Sequence, residues 1–245
     1  VDEFSALSIQ QVATSSGEVS VTNCIFDGCK PVGIALIDIS VVTKLTFSDI
    51  FIMNNVASSW NSSLGSINCN GQISELSIKN VTFSKNSCHS LFGGGVGTVF
   101  MGVTSLSISQ CKFLDNSAHQ DTTKSRLTLD SSSNYYNDDG GAIQLGYLCA
   151  TNNMDVIFDG CEFIGNHAER HGGALSIQTL KEVEIKGCKF ENNIANYNFG
   201  SIEEDGSLRL LWENHFSKKT DGRGGAIYIN IKKETHNVLH QMTST

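Results

Sequence analysis

The chain has 245 residues, 40% of them hydrophobic and 17% charged, with a formal net charge of −8. This content suits one large or two ordinary globular domains, and it excludes a disordered chain. The acidic balance excludes the basic face that nucleic-acid binding requires. No apolar run approaches the roughly 20 residues of a membrane span.

The first residues, VDEFSALSIQQ, lack an initiator Met, a basic region and an apolar signal core. We therefore expect a chain that is processed or belongs to something longer. SALSIQQVA indicates a strand and no capping helix. The backbone N–H and C=O groups of an uncapped end coil can pair with those of another chain. End-to-end association with further copies is therefore one expectation.

A repeat begins at residue 19. Its copies are 19–29, 45–55, 76–86, 106–116, 156–166, 183–193 and, more weakly, 208–216. The aligned anchors are Phe26, Ile52, Phe83, Phe113, Phe163, Phe190 and Phe216. Their spacings are 26, 31, 30, 50, 27 and 26, and the one long spacing contains the polar segment 119–139. The pattern predicts coils of about 27 residues, with a long loop insertion at 119–139.

Each copy alternates like a half-buried strand: Leu106, Ile108, Cys111 and Phe113 are apolar between polar neighbours. A second short strand follows the GGA triplets at 140–142, 172–174 and 224–226. Parallel strands without intervening helices pair only if the chain coils on itself. We predict an all-β, right-handed, single-stranded parallel β-helix of about seven to eight coils over 1–231. Residues 232–245 are a tail, a cap or the start of a further coil.

Stacked coils assign structural roles to the repeated residues. The predicted ladder positions are Cys24, Cys111, Cys161, Cys188, Phe83, Phe113, Phe163, Phe190, Asn86, Asn116, Asn166 and Asn193. We expect each Asn to adopt the left-handed conformation at a turn and to bond the next coil's backbone. The predicted corner glycines, which allow positive φ or close approach of the next coil, are Gly140, Gly141, Gly172, Gly173, Gly224 and Gly225. A ligand cradle is the alternative for these glycines.

The eight cysteines leave two interpretations open. Stacked thiols such as Cys161 and Cys188 are either reduced and buried or joined from coil to coil. Cys29 and Cys88, near turns, are better bridge members, whereas a bridge from Cys69 to Cys149 is not expected. Eight cysteines allow 105 pairings, so the sequence alone does not choose. No spacing suits zinc, and no metal or other cofactor is expected.

The segments CEFIGNHAERHGGALSI (161–177) and CKFLDNSA (111–118) resemble the repeats of chlamydial polymorphic outer-membrane proteins and of related surface proteins of protists. Ile52 in place of Phe, the out-of-phase Phe216 and FGSI at 199–202 depart from that pattern. The resemblance implies an adhesive or structural protein outside the cell.

Two sequons, at Asn61 and Asn80, together with the cysteine content, favour a secreted or cell-surface glycoprotein. Its expected partners are further copies of itself or other extracellular proteins and glycans. Tyr135 and Tyr136, on the long loop, are the first place to look for partner contact.

The alternative is a carbohydrate-active enzyme of pectinase type. Asp138, Asp139, His171 and Arg223 precede the three GGA triplets, and carboxylates beside a His can cleave glycosidic bonds. The group is similar to the signatures of polygalacturonases, but Asn-Thr-Asp and Arg-Ile-Lys motifs are missing. We expect no enzyme. Weaker candidates are Ca²⁺ at Glu203, Glu204 and Asp205, and a metal pair at His236 and His240.

Overall fold

The computed structural model describes thirteen parts of the chain. These are residues 7–10, 17–30, 37–40, 43–59, 67–70, 74–90, 99–101, 103–119, 140–145, 155–168, 172–178, 182–195 and 226–230.

The largest sheet, which we call the main wall, contains the repeated strands. Its strands are β2 (Glu18–Thr22), β3 (Ile25–Asp27), β5 (Lys44–Met53), β8 (Glu75–Ser84), β11 (Ser105–Ser109), β12 (Lys112–Leu114), β15 (Asp155–Asp159), β16 (Glu162–Ile164), β19 (Glu182–Lys186) and β20 (Lys189–Glu191). Every pairing between them is parallel and joins one coil to the next. Across the described residues the main wall has six levels, numbered here as coils 1 to 6.

Beyond the main wall, the described strands form two further walls, of which the second is described for coils 2 to 6. The second wall contains β6 (Val56–Ser59), β9 (Ser87–Ser90), β13 (Ser117–His119), β17 (His167–Ala168) and β21 (Ile194–Ala195). The third position is taken by two sheets, formed by β1 (Leu7–Gln10), β4 (Ile37–Ser40), β7 (Ile67–Asn70) and β10 (Val99–Met101), and by β14 (Ile143–Leu145), β18 (Leu175–Gln178) and β22 (Ile227–Asn230). These sheets are also parallel.

The core of the solenoid consists of apolar columns that run from coil to coil. Leu45, Leu76 and Leu106 are register partners in successive coils and are almost completely buried. Alternation within each strand turns every second residue outward, which explains the polar outer positions. Each fully buried Leu, Ile or Phe contributes about 1.5–3 kcal/mol of transfer free energy.

Two left-handed residues per coil make the bends of the main wall. The first bend has positive φ at Asn23, Asp49, Asn80, Gln110, Gly160 and Gly187. The second bend, just after the main wall, has positive φ at Gly28, Asn54, Lys85, Asp115, Gly165 and Asn192. Gly, Asn and Asp predominate because they enter this region at the lowest steric cost.

The predicted architecture is confirmed: the chain is all-β in its described parts, with parallel strands stacked as a solenoid. The described residues contain six main-wall levels instead of the predicted seven to eight. The weak copy at 208–216 and the segment 232–245 lie outside the described residues, as does the predicted loop beyond His119, which ends β13.

No helix long and apolar enough to span a membrane occurs in the described part of the chain.

Candidate functional site

A column of phenylalanine rings runs through the interior. Phe83, Phe113, Phe163 and Phe190 stack in that order, with ring centroids 4.7–4.8 Å apart and planes within 5° of parallel. The distance between ring centroids equals the spacing of hydrogen-bonded strands, so the register of the strands determines the stacking of the rings. Ile52, which replaces Phe in coil 2, is paired with Phe83 and is fully buried. The column therefore accepts a smaller side chain at one level.

A buried asparagine ladder runs beside the ring column. The Asn86 backbone N–H and side-chain Nδ2 both donate to Oδ1 of Asn116, at 3.1 and 3.0 Å. Asn116 repeats both bonds to Asn166, and Asn166 repeats both to Asn193. Each Nδ2 also donates backwards to a main-chain carbonyl of the preceding coil; for Asn116 the acceptor is Phe83. Fully satisfied buried networks of this kind fix one packing arrangement.

The expected left-handed conformation of these asparagines is wrong. Positive φ belongs instead to the residue just before each of them, for example Lys85 before Asn86 and Asp115 before Asn116. The reason is geometric: the left-handed residue turns the chain, and the next side chain then enters the core. Asn86, Asn116 and Asn166 are at most 1% exposed.

The ladder also has a member that the sequence pattern did not identify. Asn55 donates from its backbone N–H and from Nδ2 to Asn86 Oδ1, and it accepts the N–H of Cys29. Asn55 follows the anchor position of its coil by three residues, as the other ladder asparagines do, and this spacing is the signal that identifies it. The anchor of that coil is Ile52 instead of Phe, which hides the pattern. Cys29 occupies the same slot in coil 1, where its thiol donates to Asp27 O at 3.7 Å.

The predicted cysteines lie just after the first bend of the main wall in coils 1, 4, 5 and 6. In coils 2 and 3 this position is occupied by the buried side chains of Ile50 and Val81. Cys111 and Cys161 are fully buried, and their thiols donate to the carbonyls of Ile78 and Ile108. The Cys161 N–H donates to Cys188 Sγ at 3.4 Å. The five cysteines described with their side chains, Cys24, Cys29, Cys111, Cys161 and Cys188, are free thiols. The interpretation of stacked reduced thiols therefore describes Cys161 and Cys188 in this structure.

Contacts between neighbouring thiols shift their pKa values. The bond with Cys111 raises the pKa of Cys161 to about 12, while the same bond lowers the pKa of Cys111. The bond with Cys161, followed by burial, raises the pKa of Cys188. Cys161 and Cys188 consequently remain protonated at neutral pH, a state that does not favour thiolate chemistry.

The raised pKa of Cys161 predicts a loss of stability in alkali. In the unfolded chain the thiol ionises near pH 9, but in the folded chain only near 12. Its contribution to folding is present below pH 9 and disappears as the pH rises toward 12. Urea unfolding at pH 7.5, 9 and 10.5 is expected to show a shallower alkaline decline for Cys161→Ala than for the wild type. Cys24→Ala, at the same position of coil 1 and partly exposed, is the control, and an identical decline in all three proteins would contradict the prediction.

The double glycines allow two close approaches of the backbone, one within a coil and one between neighbouring coils. Gly140 and Gly172 have φ of 71° and 61°, and a Cβ on either would overlap the carbonyl of Ile143 or Leu175. Gly141 has no positive φ, but its Cβ would overlap Gly173 O and the His167 backbone. The Gly141 N–H donates to Gly172 O at 3.1 Å. Gly140 and Gly172 thus supply the positive φ, and Gly141 the close approach of the next coil, that are expected of corner glycines. Gly224 and Gly225 lie outside the described residues.

The predicted catalytic residues are not among the described ones. Outside the described parts lie Asp138, Asp139, His171, Arg223, Asn61, Tyr135, Tyr136, Glu203, Glu204, Asp205, His236, His240 and Cys149. Cys69 and Cys88 lie in β7 and β9.

Asn80, the other predicted glycosylation site, is exposed at the first bend of coil 3. Its backbone has a φ of 51°, and its Nδ2 donates to Asp49 Oδ1 at 2.7 Å. The residue between Asn80 and the sequon threonine, Val81, is 1% exposed. The bend, at which both Lys79 and Asn80 are exposed, therefore places the acceptor Asn on the accessible side of the main wall.

Charged residues on the outer face pair with each other across coils. Lys44 and Glu75 are register partners with Nζ 3.5 Å from Oε2, and Lys112 and Glu162 repeat the arrangement at 3.3 Å. All four side chains are 39–62% exposed, so each pair contributes at most about 1 kcal/mol. No group of three His, Cys, Asp or Glu side chains in the described part is arranged to hold a metal ion.

Comparison with known proteins agrees with this geometry. The family model described as a right-handed β-helix region matches residues 8–207. A curated relative, the metabotropic glutamate receptor-like protein P of Dictyostelium discoideum, is 28% identical over 145 residues. That match covers 56% of this chain but only 10% of the relative's length. No solved structure matches significantly. With parallel coils stacked in register and a family match over most of its length, the chain belongs to the right-handed β-helix family.

Proposed function

We propose that the chain is a structural or adhesive module that works outside the cell. The observation that carries this proposal is the pair of Asn and Phe ladders, which run without interruption through coils 3 to 6. Together they hold successive coils at one fixed spacing and leave polar strand positions on the outside. A rigid scaffold that presents loops and strand faces is the usual architecture for binding other macromolecules.

Two further observations support an extracellular location. Asn80 is accessible in its sequon, and the similar Dictyostelium protein carries a receptor-like name. The free thiols neither support nor oppose an extracellular location, because the described cysteines keep their sulfurs inside the coils or against local carbonyls.

Glycosylation of Asn80 tests the location. Expressed behind a secretion signal in a eukaryotic host, the chain is expected to reach the medium with a glycan on Asn80, because this side chain is exposed in the folded protein. Peptide mass spectrometry after glycosidase treatment measures occupancy. Asn80→Gln and Thr82→Val each remove the sequon and should both abolish the modification at this site. A folded, secreted chain without glycan at Asn80 would contradict the prediction.

The adhesive role is tested with coated beads. Beads that carry the folded chain are expected to retain eukaryotic cells, and beads coated with heat-unfolded chain are not. Sedimentation over a range of concentrations tests end-to-end association separately. A monomer at all concentrations would remove self-association from the proposal, and equal retention by both kinds of bead would remove specific adhesion.

The pectinase-type enzyme remains a second candidate because of one contact. The Gly141 N–H donates to Gly172 O, so the two glycine doublets belong to consecutive coils. Asp139 and His171 directly precede these doublets in the sequence. A hydrolase or lyase should degrade polygalacturonate and lose that turnover in Asp139→Asn and His171→Ala. We expect no turnover by the wild-type chain. Measurable turnover that both substitutions abolish would replace the structural proposal by the enzymatic one.

A further inference from the structure

Three cysteines occupy one position in three successive coils of the main wall. Glu162 and Lys189 are register partners, and the residues just before them are Cys161 and Cys188. Cys111 holds the same position one coil earlier, in coil 4. Neighbouring strands lie about 4.8 Å apart, and disulfides join Cα atoms roughly 4.4–6.8 Å apart. The backbone spacing of these coils therefore permits a bridge between consecutive cysteines.

The side chains of Cys161 and Cys188 are in contact. Their thiols form a hydrogen bond with each other, and the Cys161 N–H donates to Cys188 Sγ at 3.4 Å. The Cys188 thiol also donates to Lys186 O at 3.4 Å. Both cysteines are free thiols. The two sulfur atoms that a bridge would join thus lie side by side between coils 5 and 6.

Exposure distinguishes this pair of cysteines from the pair one coil earlier. Cys111 and Cys161 are both 0% exposed, whereas Cys188 is half-buried. A dissolved oxidant therefore reaches Cys188 first, and Cys161 is the thiol next to it. A bridge between Cys111 and Cys161 would require the oxidant to enter a close-packed interior.

We propose that Cys161 and Cys188 are a site of oxidative modification, at which a small-molecule disulfide such as glutathione disulfide joins coils 5 and 6 by a covalent bridge. In the first step, the Cys188 sulfur attacks glutathione disulfide, a mixed disulfide forms and one reduced glutathione leaves. In the second step, the Cys161 sulfur attacks Cys188 Sγ and displaces the second glutathione. The two cysteines lose two electrons and two protons, which the two departing glutathione thiols carry away.

The bridge would add a covalent link to coils that are otherwise held by backbone hydrogen bonds and packing. It would join residues 27 positions apart, and closing a loop of this length stabilises the folded chain by constraining the unfolded one. Because both thiols are protonated at neutral pH, we expect the exchange to take hours. Formation of the bridge does not depend on the proposed adhesive role.

Cys24 provides a matched control within the same chain. It has the same position in coil 1 and is also half-buried, but its neighbour in coil 2 is Ile50, which offers no second thiol. The reduced, folded full chain is incubated overnight with glutathione disulfide, digested without reduction and examined by mass spectrometry. We expect a peptide in which Cys161 is linked to Cys188, and glutathione on Cys24. Cys188→Ala should give no linked peptide that contains Cys161.

Thermal unfolding provides an independent readout. Oxidation should raise the Tm of the wild type by roughly 5–10 °C more than that of Cys188→Ala, each relative to its own reduced form. This comparison subtracts the effect of any bridge between other cysteines. The proposal is overturned if Cys161 and Cys188 stay free in the folded chain, or if glutathione remains on Cys188 without a linked peptide. It is also overturned if the linked peptide forms only in urea, or if Cys161 is linked to Cys111 instead.

Discussion

Replacement of Asn116 by leucine is expected to lower the free energy of unfolding by about 4 kcal/mol, because each buried polar group left without its partner costs about 1–3 kcal/mol. The leucine removes the acceptor of two Asn86 donors and the donor to Phe83 O. Asn116 is 0% exposed, so water cannot replace these bonds without opening the core. Urea unfolding followed by circular dichroism gives the change.

Two substitutions control for the loss of an asparagine as such. Asn54→Gly removes an exposed bond to Asp27, and glycine accepts the positive φ at this position, so we expect less than about 1 kcal/mol of change. Asn193→Ala, at the partly buried end of the described ladder, should have an intermediate effect. If Asn116→Leu is no more harmful than Asn54→Gly, the ladder does not stabilise the coils.

Alanine at Gly172 is the second substitution for which we expect a large effect. The new Cβ would overlap the Leu175 carbonyl, and the positive φ adds strain of its own. We expect at least about 3 kcal/mol of destabilisation, or failure to fold, since overpacking a rigid interior typically costs 1–3 kcal/mol before any strain in φ is added. Thermal and urea unfolding of the purified variant measure the change.

The glycines of the solenoid provide matched controls for this effect. Gly160 has a φ of 61°, like Gly172, but a Cβ there meets nothing within 4 Å. Gly160→Ala therefore reports the cost of positive φ alone, about 1 kcal/mol. Gly141→Ala reports the steric overlap with Gly173 and His167 without positive φ. Equal stability of Gly160→Ala and Gly172→Ala would show that the backbone between residues 172 and 176 shifts to accept the methyl group.

Periodicity in the sequence was sufficient to predict the stacked architecture. A repeat of 26 to 31 residues with period-two alternation has few other solutions, and the interior positions follow from it. Phe113 and Phe163, 50 residues apart, are in register like Phe83 and Phe113, 30 residues apart. The aligned anchors therefore gave the correct partners even across the long insertion.

Finer features depend on backbone geometry that the sequence pattern does not express. Each bend needs one left-handed residue, and Lys85 and Gln110 adopt that conformation although their side chains do not favour it. For this reason the sequence pattern predicts the left-handed conformation at Asn86, whereas Lys85 adopts it. Asn55 was missed because its coil has Ile at the anchor. The predicted enzymatic residues lie outside the described parts and remain a prediction.

The equal ring spacing across unequal stretches of sequence has a practical consequence. Phe113 lies 4.8 Å from Phe83 and 4.7 Å from Phe163, although 20 more residues separate the second pair along the chain. Foreign peptides grafted between 119 and 139 should consequently leave the stacked coils intact, whereas deletion of a single residue inside β8 or β12 would shift the later side chains of that strand to the opposite face.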